Sequence, residues 1–201
     1  MSPAGGQRPL IDPAIPLWFR RRRITDAMAE LCVEEGYRAA TIAKVVGRAG
    51  VSRTTVYEHF GNREEIFLAS LDQSVDELLQ RTEEACQDAR SQERPPLEAG
   101  LGAILGWVAE EPAAAWVSLV EAFCATSSSI QRYLDALARF ADLLGGVLPT
   151  EVPRPKVIEE SLVGGVASIL NGLLRAGEAY RAPEMLPELV TFVRAPFLKV
   201  P

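Results

Sequence analysis

Residues 41–60, TIAKVVGRAGVSRTTVYEHF, place the tightest constraint on what this chain can fold into. Two short apolar runs lie either side of Ala49-Gly50-Val51, and each is opened by a hydroxyl residue, Thr41 or Ser52. A hydroxyl at a helix N-cap accepts from backbone N–H groups that the first turn leaves unpaired. Glycine takes the left-handed backbone that a tight turn needs. The spacing therefore predicts two short helices, about 41–48 and 52–60, joined as a helix-turn-helix. Val45, Val46, Val51 and Val56 are placed to pack them together. The second helix keeps Arg53, Thr54, Thr55, Tyr57 and His59, a hydrogen-bonding surface suited to base edges and phosphates.

Elsewhere apolar residues recur at helical spacing. Ile24, Ala27, Met28, Leu31 and Cys32 make one stripe over about 16–36, stopped by Gly36. Asn62 with Glu65 three positions on opens like a capping box, and Phe67, Leu71, Val75, Leu78 and Leu79 carry a stripe to about Arg90. Pro95-Pro96 breaks it. Further helices are expected at about 97–110, 113–125, 128–148 and 155–176, with a last one at 183–198. They are separated by Pro112, by Ser127-Ser128-Ser129 and by Pro149, Pro153 and Pro155. Residues 1–15, rich in Pro and Gly, read as a flexible arm whose Arg8 could reach a minor groove. No alternating run asks for a strand. The expectation is an all-α chain of about nine helices. It comprises the arm 1–15, a helix-turn-helix domain 16–63 and a C-terminal helical bundle 64–201.

The chain has 201 residues, 48% hydrophobic and 24% charged, enough apolar material for a real core. No run reaches about 18 consecutive apolar residues, and the N-terminus lacks a cationic-then-apolar leader, so a cytoplasmic location is expected. Cys32, Cys86 and Cys124 are odd in number and far apart, and read as small buried hydrophobes rather than a disulfide or metal framework. The net charge of −6 hides an asymmetry. Residues 1–63 carry ten Lys/Arg and six Asp/Glu, whereas the remainder carries eleven and twenty-one. A basic head on an acidic body suits a chain that touches a polyanion only with its head. One histidine, no Gly-rich phosphate loop and no clustered metal ligands make catalysis a poor reading, and no cofactor or metal is expected. The pairs Glu34-Glu35, Glu64-Glu65 and Glu159-Glu160 are solvated helix faces, not paired carboxylates.

The segment AGVSRTTVYEHFGNREEIF resembles the signature of the TetR family of transcriptional regulators, and EEGYRAAT resembles that family's run out of its first helix. The likeness is specific over about residues 18–70 and architectural beyond. Thr54 stands where Gly is common and Val46 where Ala is common, departures that bear on the operator sequence rather than the fold. The resemblance implies that the second motif helix enters a major groove. Arg53 and Thr54 would then read bases, Thr55 would contact a phosphate, and Tyr57 and His59 would approach the DNA backbone. Arg63, opening the next helix, would hold a phosphate, and Thr41 and Lys44 would touch the backbone. Taken without the motif, His59 reads as a cap or half-buried ring, Tyr57 as core, and Arg20–Arg23 as a solvated face.

In the body, Trp107, Trp116, Phe123, Tyr133 and Phe140 fall in successive helices and are expected either to fill the core or to line a pocket for a small, largely apolar effector. Gly164, Ser168 and Gly172 form a strip of small residues on one helix, and Leu186, Leu189, Val190, Val193 and Phe197 a stripe on the last. The resemblance implies that these two helices form a homodimer interface. The function expected is a ligand-responsive DNA-binding regulator, a repressor that binds a palindromic operator as a dimer and is released by its effector. The alternative is a helix-turn-helix DNA-binding protein that needs no ligand.

Overall fold

The computed structural model describes residues 16–148 and 155–197. The expected arm 1–15 and the end of the last helix at 198 lie outside the described residues. Among these there are nine α-helices and no strand. They are α1 (Leu17–Glu35), α2 (Ile42–Ala49), α3 (Arg53–His59), α4 (Arg63–Ser91), α5 (Pro96–Glu110), α6 (Pro112–Trp116), α7 (Ser127–Gly145), α8 (Lys156–Arg175) and α9 (Leu186–Arg194). A π-helical segment, Val117–Glu121, follows α6, and 3-10 turns at Ala179–Met185 and Ala195–Phe197 flank α9.

The chain divides into two compact units, residues 1–70 and 71–201, with the division inside α4. In the first unit, α2 packs on α1 and α3 on α2. Ile24, Met28, Val45, Val56, Ile66 and Phe67 are fully buried. Gly50 ends α2 at φ +65°, the left-handed conformation its position in the turn requires. Thr25 and Ser70 are buried hydroxyls, and Ser70 Oγ donates to Thr25 O at 2.9 Å, tying the start of α4 to α1.

The second unit is built around α5, whose turns pack against the Ala179–Met185 segment and α9, and around the α7–α8 pair. Leu105, Trp107, Val108, Leu170, Leu189 and Val193 form the centre of its core. The chain bends by 105° between α5 and the segment that starts at Pro112. That segment is not the single α-helix 113–125 that the spacing predicts: it widens to π-helix at Val117 and stops at Glu121. α8 is long and apolar enough to cross a bilayer. Its apolar run is nonetheless interrupted by Glu159, Glu160 and Asn171, so it holds no stretch of about 18 consecutive apolar residues. Its Leu162, Val166, Ala167, Leu170 and Leu174 are buried in the unit's own core.

Candidate nucleic-acid interface and effector cavity

α3 is held at both ends by its own sequence. Ser52 Oγ caps it by accepting from Thr55 N at 2.9 Å, and Phe60, buried, closes it by donating its N–H to Val56 O. Val56 is the helix's fully buried anchor. The outer face is thereby left to Arg53, Thr54 and Tyr57, all exposed, with Tyr57 46% accessible. The Arg53 guanidinium lies 5.6 Å from the Tyr57 ring centroid and reaches its hydroxyl at 3.4 Å. A cation stacked on an aromatic ring keeps its charge and loses freedom, which suits a group that must meet one base edge.

The other expected contacts are placed less freely. Thr55 is half-buried and its hydroxyl is engaged with Ser52 Oγ at 2.8 Å. Thr41 is the N-cap of α2, accepting from Lys44 N. The Lys44 ammonium donates to the Glu35 carboxylate and to Ala39 O at 3.1 Å, so it braces α2 against the end of α1. Arg63 stacks over Tyr37 at 4.4 Å and donates to Arg38 O at 3.0 Å, while Tyr37 in turn packs on Phe67 at 4.7 Å. His59 has Nε2 enclosed with no hydrogen-bond partner, so only its other ring nitrogen can approach a phosphate.

Further residues, some of them outside the expected contact set, complete the frame. Tyr37 is buried and seats Arg63, and Arg21, exposed, lies over Phe60 at 4.6 Å. Arg48 bonds Glu34 at 2.8 and 2.5 Å and Glu30 at 2.9 Å, clasping α2 to α1. These bonds hold the Glu34 carboxyl below its usual 4.5 and raise Arg48. Asn62 and Glu65 cap α4 reciprocally: Glu65 N donates to Asn62 Oδ1 at 2.9 Å, and Asn62 Nδ2 to Glu65 Oε1 at 2.8 Å. Glu65 also receives Gly61 N at 2.8 Å, so the pairing visible in the sequence fixes the link from α3 to α4.

The second unit encloses a cavity of about 110 Å³, walled by α4, α5, α7 and α8 and by the π segment. Val75, Leu101, Leu137, Phe140 and Val166 are representative of its surface. Among the described residues, none that is charged lines it. Three of its polar groups are tied to the backbone: Thr82 Oγ1 donates to Leu78 O at 2.7 Å, Ser118 Oγ to Ala114 O at 3.0 Å, and Cys86 Sγ to Pro96 O at 3.4 Å. Burial pushes the Cys86 thiol and the Tyr133 phenol up, so both stay uncharged at neutral pH.

Of the five expected aromatics, Tyr133 and Phe140 line this cavity and three do not. Trp107 sits one turn past Ile104, the last α5 residue in the wall, and is packed in the core at 1% exposure. Trp116 packs against that core. Phe123 is 60% exposed and meets Tyr133 edge-on from outside at 5.8 Å. The expectation assumed an unbroken 3.6-residue period, and the π segment shifts the register of everything after Val117. The cavity is aliphatic where an aromatic one was expected.

On α8, Ser168 and Gly172 are exposed and Gly164 is half-buried, and an added Cβ at either glycine would meet nothing within 4 Å. Leu186, Val190 and Phe197 are half-buried against the core. Leu189 and Val193, at 1% exposure, belong to that core and are not available to a partner, a correction to the expected stripe. The exposed apolar residue of α9 is Phe192, 39% accessible, with its ring over Gly165 of α8, and the sequence reading passed over it.

Residues 24–70 match the family described as bacterial regulatory proteins, tetR family. The HTH-type transcriptional activator FasR of Mycolicibacterium smegmatis is 36% identical over 100 residues, 48% of this chain and 45% of that protein. The fatty acid metabolism regulator protein of Bacillus subtilis is 32% identical over 62 residues, 31% of this chain and 32% of that protein. The chain thus matches less than half the length of these curated relatives. Among solved structures, the fatty acid degradation regulator FadR from Bacillus halodurans aligns with TM-score 0.75 at 16% identity, covering 86% of this chain and 97% of that one. FadR from Bacillus subtilis in complex with stearoyl-CoA aligns with TM-score 0.73 at 20% identity over the same shares. At these identities the structural likeness shows the fold.

Proposed function

We propose that this chain is a member of the tetR family of bacterial regulatory proteins, whose model its residues 24–70 match, and that it is a cytoplasmic, ligand-responsive DNA-binding repressor. It binds a palindromic operator as a homodimer and is released by a long-chain fatty acyl effector. The observation that carries the reading is the outer face of α3, where Arg53, Thr54 and Tyr57 stand in solvent on a helix capped at both ends. Arg53 and Thr54 read bases in the major groove. Tyr57, His59, Thr55, Thr41, Lys44 and Arg63 grip or position against the phosphates, with Lys44 and Arg63 held by Glu35 and Tyr37.

The effector class follows from the cavity. A wall without charge among the described residues, with its Thr82 and Ser118 hydroxyls already bonded, takes an alkyl chain and leaves the polar end of the ligand outside. Relatives named for fatty-acid regulation, and a neighbour solved with stearoyl-CoA, support an acyl chain over other apolar ligands. Self-association uses the outer strip of α8, Gly164, Ser168 and Gly172, with Phe192 of α9. A dimer presents two copies of α3, as a palindrome requires. α4 is the one helix that begins beside α3 and continues into the cavity wall, and filling the cavity acts on DNA binding along it. Coupling of about 1–3 kcal/mol changes occupancy roughly 5–150-fold. The test is to select bound sequences from random duplexes, then titrate the bound operator with palmitoyl-CoA. Loss of DNA occupancy at micromolar ligand is expected. Binding of palmitoyl-CoA with unchanged operator affinity would refute the coupling.

A further inference from the structure

Beside the cavity, at the junction of α5 with the turn that follows α7, lies a second space of about 270 Å³, partly open to solvent and lined by Pro95, Pro96, Leu148 and Phe197. The two spaces share two wall residues, Leu97 and Val147. Both are held from behind. Leu97 is buried in the first turn of α5, where Pro96 fixes the backbone. Val147 sits in the turn after α7, whose Gly146 carbonyl accepts from Arg90 Nη2 at 2.7 Å, and Val147 N donates to Leu144 O at 3.0 Å. The second chamber has one charged wall residue, Arg194, and that guanidinium is occupied by Glu98 at 3.0 Å.

We propose that Leu97 and Val147 form a partition that sets the chain length of the effector, with the chamber beyond it able to receive the tail of a longer linear alkyl chain once the partition is thinned. This rests on the acyl-effector reading for the identity of the ligand, though not for the partition itself. Each methylene entering dry apolar space strengthens binding about four-fold. Affinity therefore rises along a homologous series until the chain fills the inner cavity, and then levels off at the partition. Thinning the partition moves the plateau to longer chains, and thickening it moves the plateau to shorter ones.

The experiment measures affinities, by calorimetry on the full chain, for linear 1-alkanols of eight to eighteen carbons and for acyl-CoAs of the same lengths. Wild type is compared with Val147→Ala, Leu97→Ala and Val147→Phe. The expected result is a plateau two or more carbons longer in the two alanine variants and shorter in Val147→Phe. Circular dichroism and thermal melting show that each variant is folded. A plateau at one length in all four proteins overturns the proposal. So does a loss of every chain length alike in Val147→Phe, which would put the headgroup beyond the partition. Absence of alkanol binding overturns it as well. Shifted alkanol plateaus without acyl-CoA binding would uphold the partition and refute the acyl reading.

Discussion

Arg53 and Tyr57 are four residues apart on α3, exposed, and in contact with each other, yet they are assigned different work. A guanidinium bidentate to a guanine discriminates between bases, so Arg53→Ala is expected to lose about 1–3 kcal/mol of preference for the selected operator over random duplex. Competition binding against both DNAs measures it. Tyr57→Phe, which removes the hydroxyl proposed to meet the DNA backbone, is expected to weaken both DNAs alike. At this scale the sequence was informative where chemistry and spacing coincide: the caps Thr41 and Ser52 and the Asn62–Glu65 reciprocity were all readable. It was uninformative about Lys44 and Arg63, because their partners Glu35, Tyr37 and Arg38 are fixed by packing between helices rather than by periodicity.

Helices behave as elements when their faces are assigned correctly, and α8 offers a paired test. Gly165→Leu would drive a side chain into the Phe192 ring, which lies 2.7 Å from where its Cβ would be, and is expected to destabilise the fold by about 1–3 kcal/mol. Gly164→Leu, one residue away, meets open space and is expected to leave the melting temperature of the isolated chain unchanged or raised. Its effect falls instead on self-association, read by sedimentation. The α1–α2 clasp adds a pH dependence. Because Glu34 is held below its usual 4.5, its contribution is complete above that value and is lost as pH falls through the lowered folded one. Glu34→Gln is therefore expected to lower the melting temperature slightly at pH 7, with the difference from wild type shrinking as pH falls below 4.5. Element existence was legible from breakers and stripes, whereas the π segment was not, since an inserted turn leaves no mark on a hydrophobic pattern. That one irregularity misplaced Phe123, while Leu189 and Val193 were misplaced because an amphipathic stripe says which side is apolar but not whether a core or a partner covers it.

At the scale of the whole chain, charge separates the tasks. The first 63 residues carry the excess of Lys/Arg and the rest the excess of Asp/Glu, so on the proposed reading the electrostatic attraction to DNA comes from the head. Binding is expected to fall on the order of a hundred-fold between 50 and 200 mM salt if about four phosphates are neutralised. The most direct measurement of the central claim is selection from a pool of random duplexes by wild type and by Arg53→Ala. The account predicts an enriched palindrome with wild type, and with the variant the same half-site spacing but relaxed identity at one base pair per half. Recovery of no enriched sequence by the wild type, or of the same sequence with equal stringency by both proteins, would contradict it.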